Sequence, residues 1–155
     1  MPQVGAGFPD VPGQDPTLAL GLIGPTLYVD IGFDPGYKPG AGPETPPVAG
    51  IKQIWALVDT GAQECCIDAQ LAVSLGLPVV DQKQVCGSAG AHTVSIYLAQ
   101  IHVPALTFTV WGQFAGIYLA AGGQRHQALL GRSFLQRFTM TYVGNTGEVT
   151  ISGPN

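Results

Sequence analysis

The chain has 155 residues, a formal net charge of −4, 10% charged residues and 46% hydrophobic residues. This length predicts one domain whose core needs no metal or disulfide, and the hydrophobic content excludes intrinsic disorder. Nucleic-acid binding is disfavoured because it requires clustered Lys and Arg, whereas this acidic chain has only six, scattered along it. The 22 glycines and 13 prolines divide the chain into short segments, which favours an all-β fold.

The N-terminal part is predicted to be an arm followed by strands. Residues 1–16 are rich in proline and glycine and are expected to form a flexible arm ahead of a single domain at 17–155. Residues 17–33 are apolar and interrupted by Gly24-Pro25, which predicts two strands, the second at 26–33.

A loop, a buried strand and a short helix are predicted next. Residues 34–50 contain so much Pro and Gly that we expect a loop, longer than most connections. Residues 51–58 form an apolar segment that predicts a buried strand. The helix is expected to begin at Asp68, a good N-cap residue, and to stop at Gly76.

The middle of the chain predicts a hairpin with a glycine-bearing tip. Its strands are expected at 79–86 and 93–103, with the turn at 87–91 between them. Further strands are predicted at 105–111 and 115–121.

The C-terminal part combines a short strand, a helical turn and a hairpin. Residues 122–127 are polar and predict a loop, 128–131 a brief strand, and 132–138 one or two helical turns. The last segment alternates around Gly144-Asn145-Thr146-Gly147, which is a strong hairpin signal.

The candidate catalytic motif is Asp59-Thr60-Gly61, directly after the apolar strand. A carboxylate at the end of a buried strand is a candidate acid or base, and Gly61 permits a tight turn or a close backbone approach. These residue types are also common at ordinary strand ends, so the tripeptide alone gives weak support to a catalytic site.

A second motif strengthens the catalytic interpretation. Ala128-Leu129-Leu130-Gly131-Arg132 places two apolar residues, a glycine and an arginine ahead of an amphipathic turn. Both motifs, with a possible flap hairpin between them, resemble the retropepsin-like aspartic proteases, which include retroviral, retrotransposon, cellular and bacterial members. The resemblance runs from about residue 26 to residue 152. It implies an all-β, closed acid-protease barrel with one or two short helices, one lobe per chain.

The resemblance also implies residue roles. Asp59 would hold the attacking water together with its symmetry mate, Thr60 would hydrogen-bond across the dimer axis, and Gly61 would offer its backbone to the substrate. An extended polypeptide substrate would contact a flap tip and residues near the catalytic loop: Ala62, Ser88, Ala89, Gly90, Leu129 and Leu130. Gly131 and Arg132 would support that loop. No cofactor is implied.

A chemical argument independently favours a homodimer. Peptide hydrolysis by carboxylates requires one group that activates water and one that protonates the carbonyl, and two carboxylates about 3 Å apart do this by sharing a proton. The chain has one Asp-Thr-Gly and is too short for two such lobes. A two-fold axis beside Asp59 would supply the second carboxylate. In the family, the terminal strands form the interface.

Several positions depart from the retroviral pattern. Ala62 stands where some relatives have a hydroxyl, which implies an activity optimum less acidic than that of the two-lobed stomach enzymes. Gln63 stands where retroviral relatives have an acidic residue that pairs with the second-motif arginine. Arg132 is therefore expected to contact either Glu64 or a backbone carbonyl.

The cysteines and histidines are not expected to bind a metal. The three cysteines are interpreted as reduced thiols, with Cys66 facing the core and Cys65 pointing away. His92 and His126 are expected in exposed loops, and His102 on a strand face.

The leading hypothesis is an aspartic endopeptidase, and the alternative is a non-catalytic retropepsin-like module that binds peptides or dimerises. Hydrolysis of an unfolded protein, with Asp59→Asn as control, discriminates between them. Free thiols and the lack of a signal-peptide pattern or membrane-length apolar segment favour a cytoplasmic protein without membrane insertion. An aspartyl-phosphate phosphatase is rejected because Gly61 stands where its second Asp would be.

Overall fold

A computed structural model describes residues 2–9, 11–40, 44–87 and 90–154, which form ten strands and three short helices. The strands are β1 Gln3–Gly5, β2 Thr26–Gly32, β3 Gly50–Val58, β4 Cys66–Asp68, β5 Val79–Gly87, β6 Gly90–Val103, β7 Phe108–Ile117, β8 Ala128–Leu130, β9 Thr139–Val143 and β10 Glu148–Ser152. The helices are α1 Pro16–Ile23, α2 Ala69–Ser74 and α3 Arg132–Leu135.

Six strands close into a barrel. Hydrogen-bonded neighbours follow the order β2-β3-β8-β4-β7-β6, and β6 pairs back with β2. The pairing is antiparallel except between β3 and β8 and between β4 and β7. β5 pairs with β6 and forms the predicted hairpin, which extends the sheet beyond the closed ring. The prediction of an all-β fold with a closed barrel is confirmed.

Apolar side chains at alternating strand positions fill the barrel. In β3 the buried positions are Ile54, Ala56 and Val58, whereas Trp55 and Leu57 between them are half-buried. β3 therefore turns one face to the core, and Asp59, directly after the strand, lies in line with its other face.

A second, three-stranded sheet joins the two ends of the chain in the order β1-β10-β9. β9 and β10 are the predicted C-terminal hairpin, and β1 pairs antiparallel with β10 from Gln3↔Ser152 to Gly5↔Thr150. The expectation of a flexible arm over residues 1–16 is therefore wrong for β1, because backbone hydrogen bonds to β10 hold this segment.

α1 replaces the first of the two strands predicted in residues 17–33. The Asp15 carboxylate accepts hydrogen bonds from the N–H groups of Thr17 at 2.9 Å and Leu18 at 3.3 Å, and Pro16 stands in the first turn. Both features start helices, but they lie in the Pro- and Gly-rich residues 1–16 that were predicted to be an arm. None of the helices in the described residues has the length and hydrophobicity that crossing a membrane requires.

The structure also corrects the two strands predicted at 105–111 and 115–121. Pro104–Leu106 forms a 3₁₀ turn that ends at Thr107 with a φ of 47°. β7 then runs as one strand, in which Gly112 adopts a φ of 140°. A glycine at this point bends the strand without ending it.

Hydrogen bonds attach the described residues of the predicted loop at 34–50 to the barrel. The Asp34 carboxylate accepts a hydrogen bond from the Val48 N–H at 2.8 Å, and the Asp34 N–H donates to Gln100 Oε1 at 2.7 Å. Both ends of the loop are therefore held close to β6.

Candidate active site

Backbone hydrogen bonds to Pro25, which precedes β2, and to β8 hold Asp59 in place. The N–H of Val58 donates to the Pro25 carbonyl at 2.8 Å, and the N–H of Asp59 donates to the Leu130 carbonyl at 2.9 Å. The second bond continues the parallel pairing of β3 with β8. The first motif and the second motif are thus brought side by side by one strand pair.

The Asp59-Thr60-Gly61 segment forms a turn that orients the carboxylate. The Gly61 N–H donates to Asp59 Oδ1 at 2.8 Å, and the Ala62 N–H donates to the Asp59 carbonyl at 3.2 Å. A Cβ on Gly61 would lie 3.1 Å from Asp59 Oδ1. Glycine at this position therefore avoids a tight contact with the carboxylate.

The second motif braces the loop that follows Asp59. The Arg132 guanidinium donates to the Thr60 carbonyl at 2.8 Å, and the backbone N–H groups of Arg132 and Ser133 donate to the carbonyls of Ala62 and Gln63, each at 2.9 Å. Of the two partners expected for Arg132, the backbone carbonyl is the one found. The loop after Asp59 is thus held at three carbonyls.

Gly131 allows this close packing of the two motifs. A Cβ at this position would lie 2.5 Å from the Glu64 carbonyl oxygen and 2.8 Å from that of Ala62. Both distances are shorter than real carbon–oxygen contacts, so a side chain at Gly131 would force the two loops apart.

Asp59 lies at a cavity of about 560 Å³. Asp59 is half-buried and Thr60 is exposed. The other lining residues are largely apolar: Pro25, Leu57, Val58, Leu135, Phe138, Met140 and Tyr142. The residues from β9 and the segment before it were not predicted as site residues, although the alternation of Met140 and Tyr142 in the C-terminal strand is a signal that could have indicated them.

The predicted substrate-contacting residues fall into three groups. Ala62 and Leu129 are half-buried beside the catalytic loop, and Gly90 is exposed at the start of β6. Leu130 is completely buried in the core, so its side chain packs inside the barrel and does not form part of a substrate surface. Ser88 and Ala89, the predicted flap tip, lie outside the described residues.

The two adjacent cysteines are oriented opposite to the prediction. Cys65 is buried and Cys66 is half-buried, in the same alternation that buries Ile67. Burial raises the pKa of the Cys65 thiol. Burial, followed by the charges that Cys65, Glu64 and Asp59 carry when ionised, raises the pKa of Cys66 to about 11. Cys66 therefore remains a neutral thiol at neutral pH.

His126 is a second correction, since it is completely buried rather than exposed. Its Nε2 lies 2.8 Å from the Thr26 hydroxyl, and its ring packs against Trp55 with centroids 5.7 Å apart. Burial lowers the pKa of His126. His102 lies in β6, as predicted, and no group of three or more His, Cys, Asp or Glu in the described residues could hold a metal ion.

Residues 48–137, more than half of the chain, match the family model described as gag-polyprotein putative aspartyl protease. The chain therefore belongs to this retropepsin-like family of aspartic proteases. The matched region contains both motifs and the hairpin between them.

Among solved structures, the chain is similar to the crystal structure of a retropepsin-like aspartic protease from Rickettsia conorii. The sequences are 12% identical, the TM-score is 0.49, and the alignment covers 97% of this chain and 90% of that one. No curated protein sequence matches the chain significantly.

Proposed function

We propose that the protein is an aspartic endopeptidase that hydrolyses peptide bonds with a water molecule activated by two Asp59 carboxylates. The observation that carries this proposal is the position of Asp59: half-buried at the end of a core strand, bound by the Gly61 N–H and open to a cavity. Membership of an aspartic protease family supports it.

The proposed reaction requires a second chain. A pair of carboxylates that shares one proton can activate water with the ionised member and protonate the carbonyl oxygen with the other. One chain supplies one Asp-Thr-Gly. We therefore propose a homodimer whose two-fold axis passes beside Asp59, so that the Thr60 hydroxyl hydrogen-bonds across the axis and fixes both loops.

The apolar surface next to Asp59 supports a specific dimer interface. β9 is an edge of the three-stranded sheet, so one row of its backbone groups has no strand partner among the described residues. Met140, Tyr142 and Phe138 border the same cavity as Asp59. A second chain that pairs along β9 would bury these side chains and bring the two carboxylates together.

The β5–β6 hairpin is the proposed flap. The described residues from Asp81 to Gln84 and from Gly90 to Thr93 are exposed, so this part of the ribbon projects from the barrel. Closure over an extended peptide would exclude bulk water from the carboxylates. The outer part of this ribbon is proposed to pair with the substrate backbone, with Ala62 and Leu129 contacting side chains.

Hydrolysis of reduced, unfolded casein tests the proposed activity. The wild-type chain is expected to cleave it between about pH 4 and pH 7, the range in which a shared-proton pair works. Asp59→Asn should abolish cleavage, because an amide cannot activate water, whereas Glu148→Gln, an exposed carboxylate-to-amide change, should not. A dimer that leaves casein intact over this range would contradict the proposal and favour a non-catalytic peptide-binding or dimerisation module.

A further inference from the structure

A second recess, separate from the cavity at Asp59, lies on the outer wall of the barrel. It has a volume of about 710 Å³ and lies between the N-terminal segment and the outer face of β2 and β3. Phe8, Tyr28 and Trp55 contribute aromatic side chains to its walls, and Arg125 is the one charged side chain among its described lining residues. These four residues define what we call the aromatic groove.

One face of the β2–β3 pair connects the aromatic groove to the candidate catalytic cavity. Trp55 and Leu57 alternate with the buried residues of β3, so both project from its outer face. Leu57 lines the cavity at Asp59, and Trp55 lines the groove. Their partners in β2 are Thr26 and Tyr28, which also line the groove. The two recesses are therefore neighbours on one strand face.

The spacing along this face matches a short extended peptide. Trp55 precedes Asp59 by four positions, which corresponds to about 13 Å of extended chain. A peptide that lies over the same surface covers this distance with about four residues. A substrate held at Asp59 would thus place residues roughly four to six positions from the cleaved bond at the aromatic groove.

The chemistry of the aromatic groove defines the ligand that it would accept. Tyr28 is 59% exposed, which leaves its ring available for contact. Trp55 is held in place by packing against His126, so little conformational entropy is lost when a ligand binds to it. Arg125 is exposed at the same recess. Apolar walls with a single cation suit a large apolar side chain beside a carboxylate.

We propose that the aromatic groove docks the distal part of a polypeptide substrate, which supplies a large apolar residue next to an acidic one. The proposal rests on the proposed protease function for its substrate, but it concerns binding alone. It is therefore tested with the full-length Asp59→Asn variant, which should bind peptides without cleaving them.

The probes are two fluorescently labelled synthetic peptides of about 14 residues, long enough to span both recesses. They share the same apolar centre and differ only at two adjacent positions on each side, which lie within four to six residues of that centre. One peptide carries Phe-Glu there, and the other carries Gly-Ser. Fluorescence anisotropy gives the Kd of each, and we expect the Phe-Glu peptide to bind about tenfold more tightly, as burial of one aromatic side chain predicts.

Substitutions in the groove should remove this preference. Tyr28→Ala and Arg125→Gln are each expected to reduce the affinity ratio to about threefold or less, as loss of a single contact predicts. The matched controls Tyr118→Ala and Arg137→Gln alter an exposed aromatic and an exposed cation outside the groove, and both should keep the ratio. Thermal unfolding verifies that all four variants are folded.

Equal or unmeasurable binding of the two peptides would overturn the proposal. An affinity ratio that the groove substitutions leave unchanged would also overturn it. The protease function fails separately, because it depends on cleavage by the wild-type chain. A preference for the Phe-Glu peptide without cleavage of casein would support docking in the aromatic groove and contradict the protease function. Cleavage without this preference would support the protease function and contradict docking in the groove.

Discussion

At the scale of single residues, hydrogen bonds to backbone carbonyls and from backbone N–H groups hold the Asp59-Thr60-Gly61 loop in place. Gly61 approaches Asp59 because it has no Cβ, and Arg132 reaches across from the second motif to the Thr60 carbonyl. The residue types explain these contacts, since glycine permits close approach and a guanidinium offers several fixed donors.

Arg132→Met should lower kcat/KM by roughly ten- to a hundredfold, since small misplacement of a catalytic group has effects of that size. The free energy of unfolding should change by about 1 kcal/mol, because one hydrogen bond to a backbone carbonyl is lost. Steady-state hydrolysis and urea unfolding measure the two effects. Arg137→Met is the matched control, since Arg137 is also exposed, and an unchanged kcat/KM in Arg132→Met would show that the contact does not position the loop.

At the scale of elements, Asp68 joins α2 to the turn that follows β7. Its side chain is 1% exposed and accepts hydrogen bonds from the N–H groups of Leu71 at 3.1 Å and of Leu119 and Ala120 at 3.0 Å each. The sequence predicted the helix cap, which is a local feature. The other two bonds come from residues about fifty positions away, so only the folded chain brings them to Asp68.

Asp68→Ala should lower the free energy of unfolding by about 2–4 kcal/mol, because three N–H groups lose a shared carboxylate acceptor that is itself buried. Urea unfolding measures this change. Asp81→Ala serves as control, since Asp81 is an exposed residue of β5, and it should change stability by no more than about 0.5 kcal/mol. Equal effects of the two substitutions would contradict the role assigned to Asp68.

At the scale of the whole molecule, two buried histidines connect folding to pH. Desolvation lowers the pKa of His102, although the charges of Asp30 and Glu44 act in the opposite direction, and desolvation also lowers the pKa of His126. The unfolded chain therefore binds protons more readily than the folded one below the ordinary histidine pKa of about 6.5. By linkage, the free energy of unfolding has its full value above that pH and decreases as the pH falls below it.

Urea unfolding of the wild-type chain should thus give a smaller free energy at pH 5.5 than at pH 7.5. His126→Gln should reduce this difference, even if it changes the stability at both values, because the group that gains a proton on unfolding is gone. His92→Gln should leave the difference intact, since His92 is exposed. The explanation fails if His126→Gln retains the full pH dependence.

Dimerisation is the other property of the whole molecule that can be tested. Tyr142→Glu places a charge on the apolar surface beside Asp59 and should convert the proposed dimer to a monomer, with loss of hydrolysis. Analytical ultracentrifugation and the casein assay measure both. Tyr118→Glu introduces the same charge at another exposed tyrosine and should leave the dimer intact. A monomer that still cleaves casein would contradict the two-chain site.

Local signals explain what could be predicted from the sequence. The apolar segment before Asp59, the Asp68 cap and the glycines of the C-terminal hairpin act over a few residues, so β3, α2 and the β9–β10 hairpin were predicted correctly. α1 was missed because its cap signal, Asp15 and Pro16, lies in the segment predicted to be an arm, and the apolar residues that follow also suit a strand. The orientation of Cys65 and Cys66 was wrong because residue type alone does not decide which of two adjacent cysteines faces the core.

The sequence by itself determined the family, the all-β class and the two motifs, because these follow from residue type and spacing along the chain. The tertiary structure decided which groups meet: Arg132 with Thr60, Thr26 with His126, and β1 with β10. The physical reason is that each of these contacts joins residues far apart in sequence, and barrel closure and strand register, rather than local preference, bring them together.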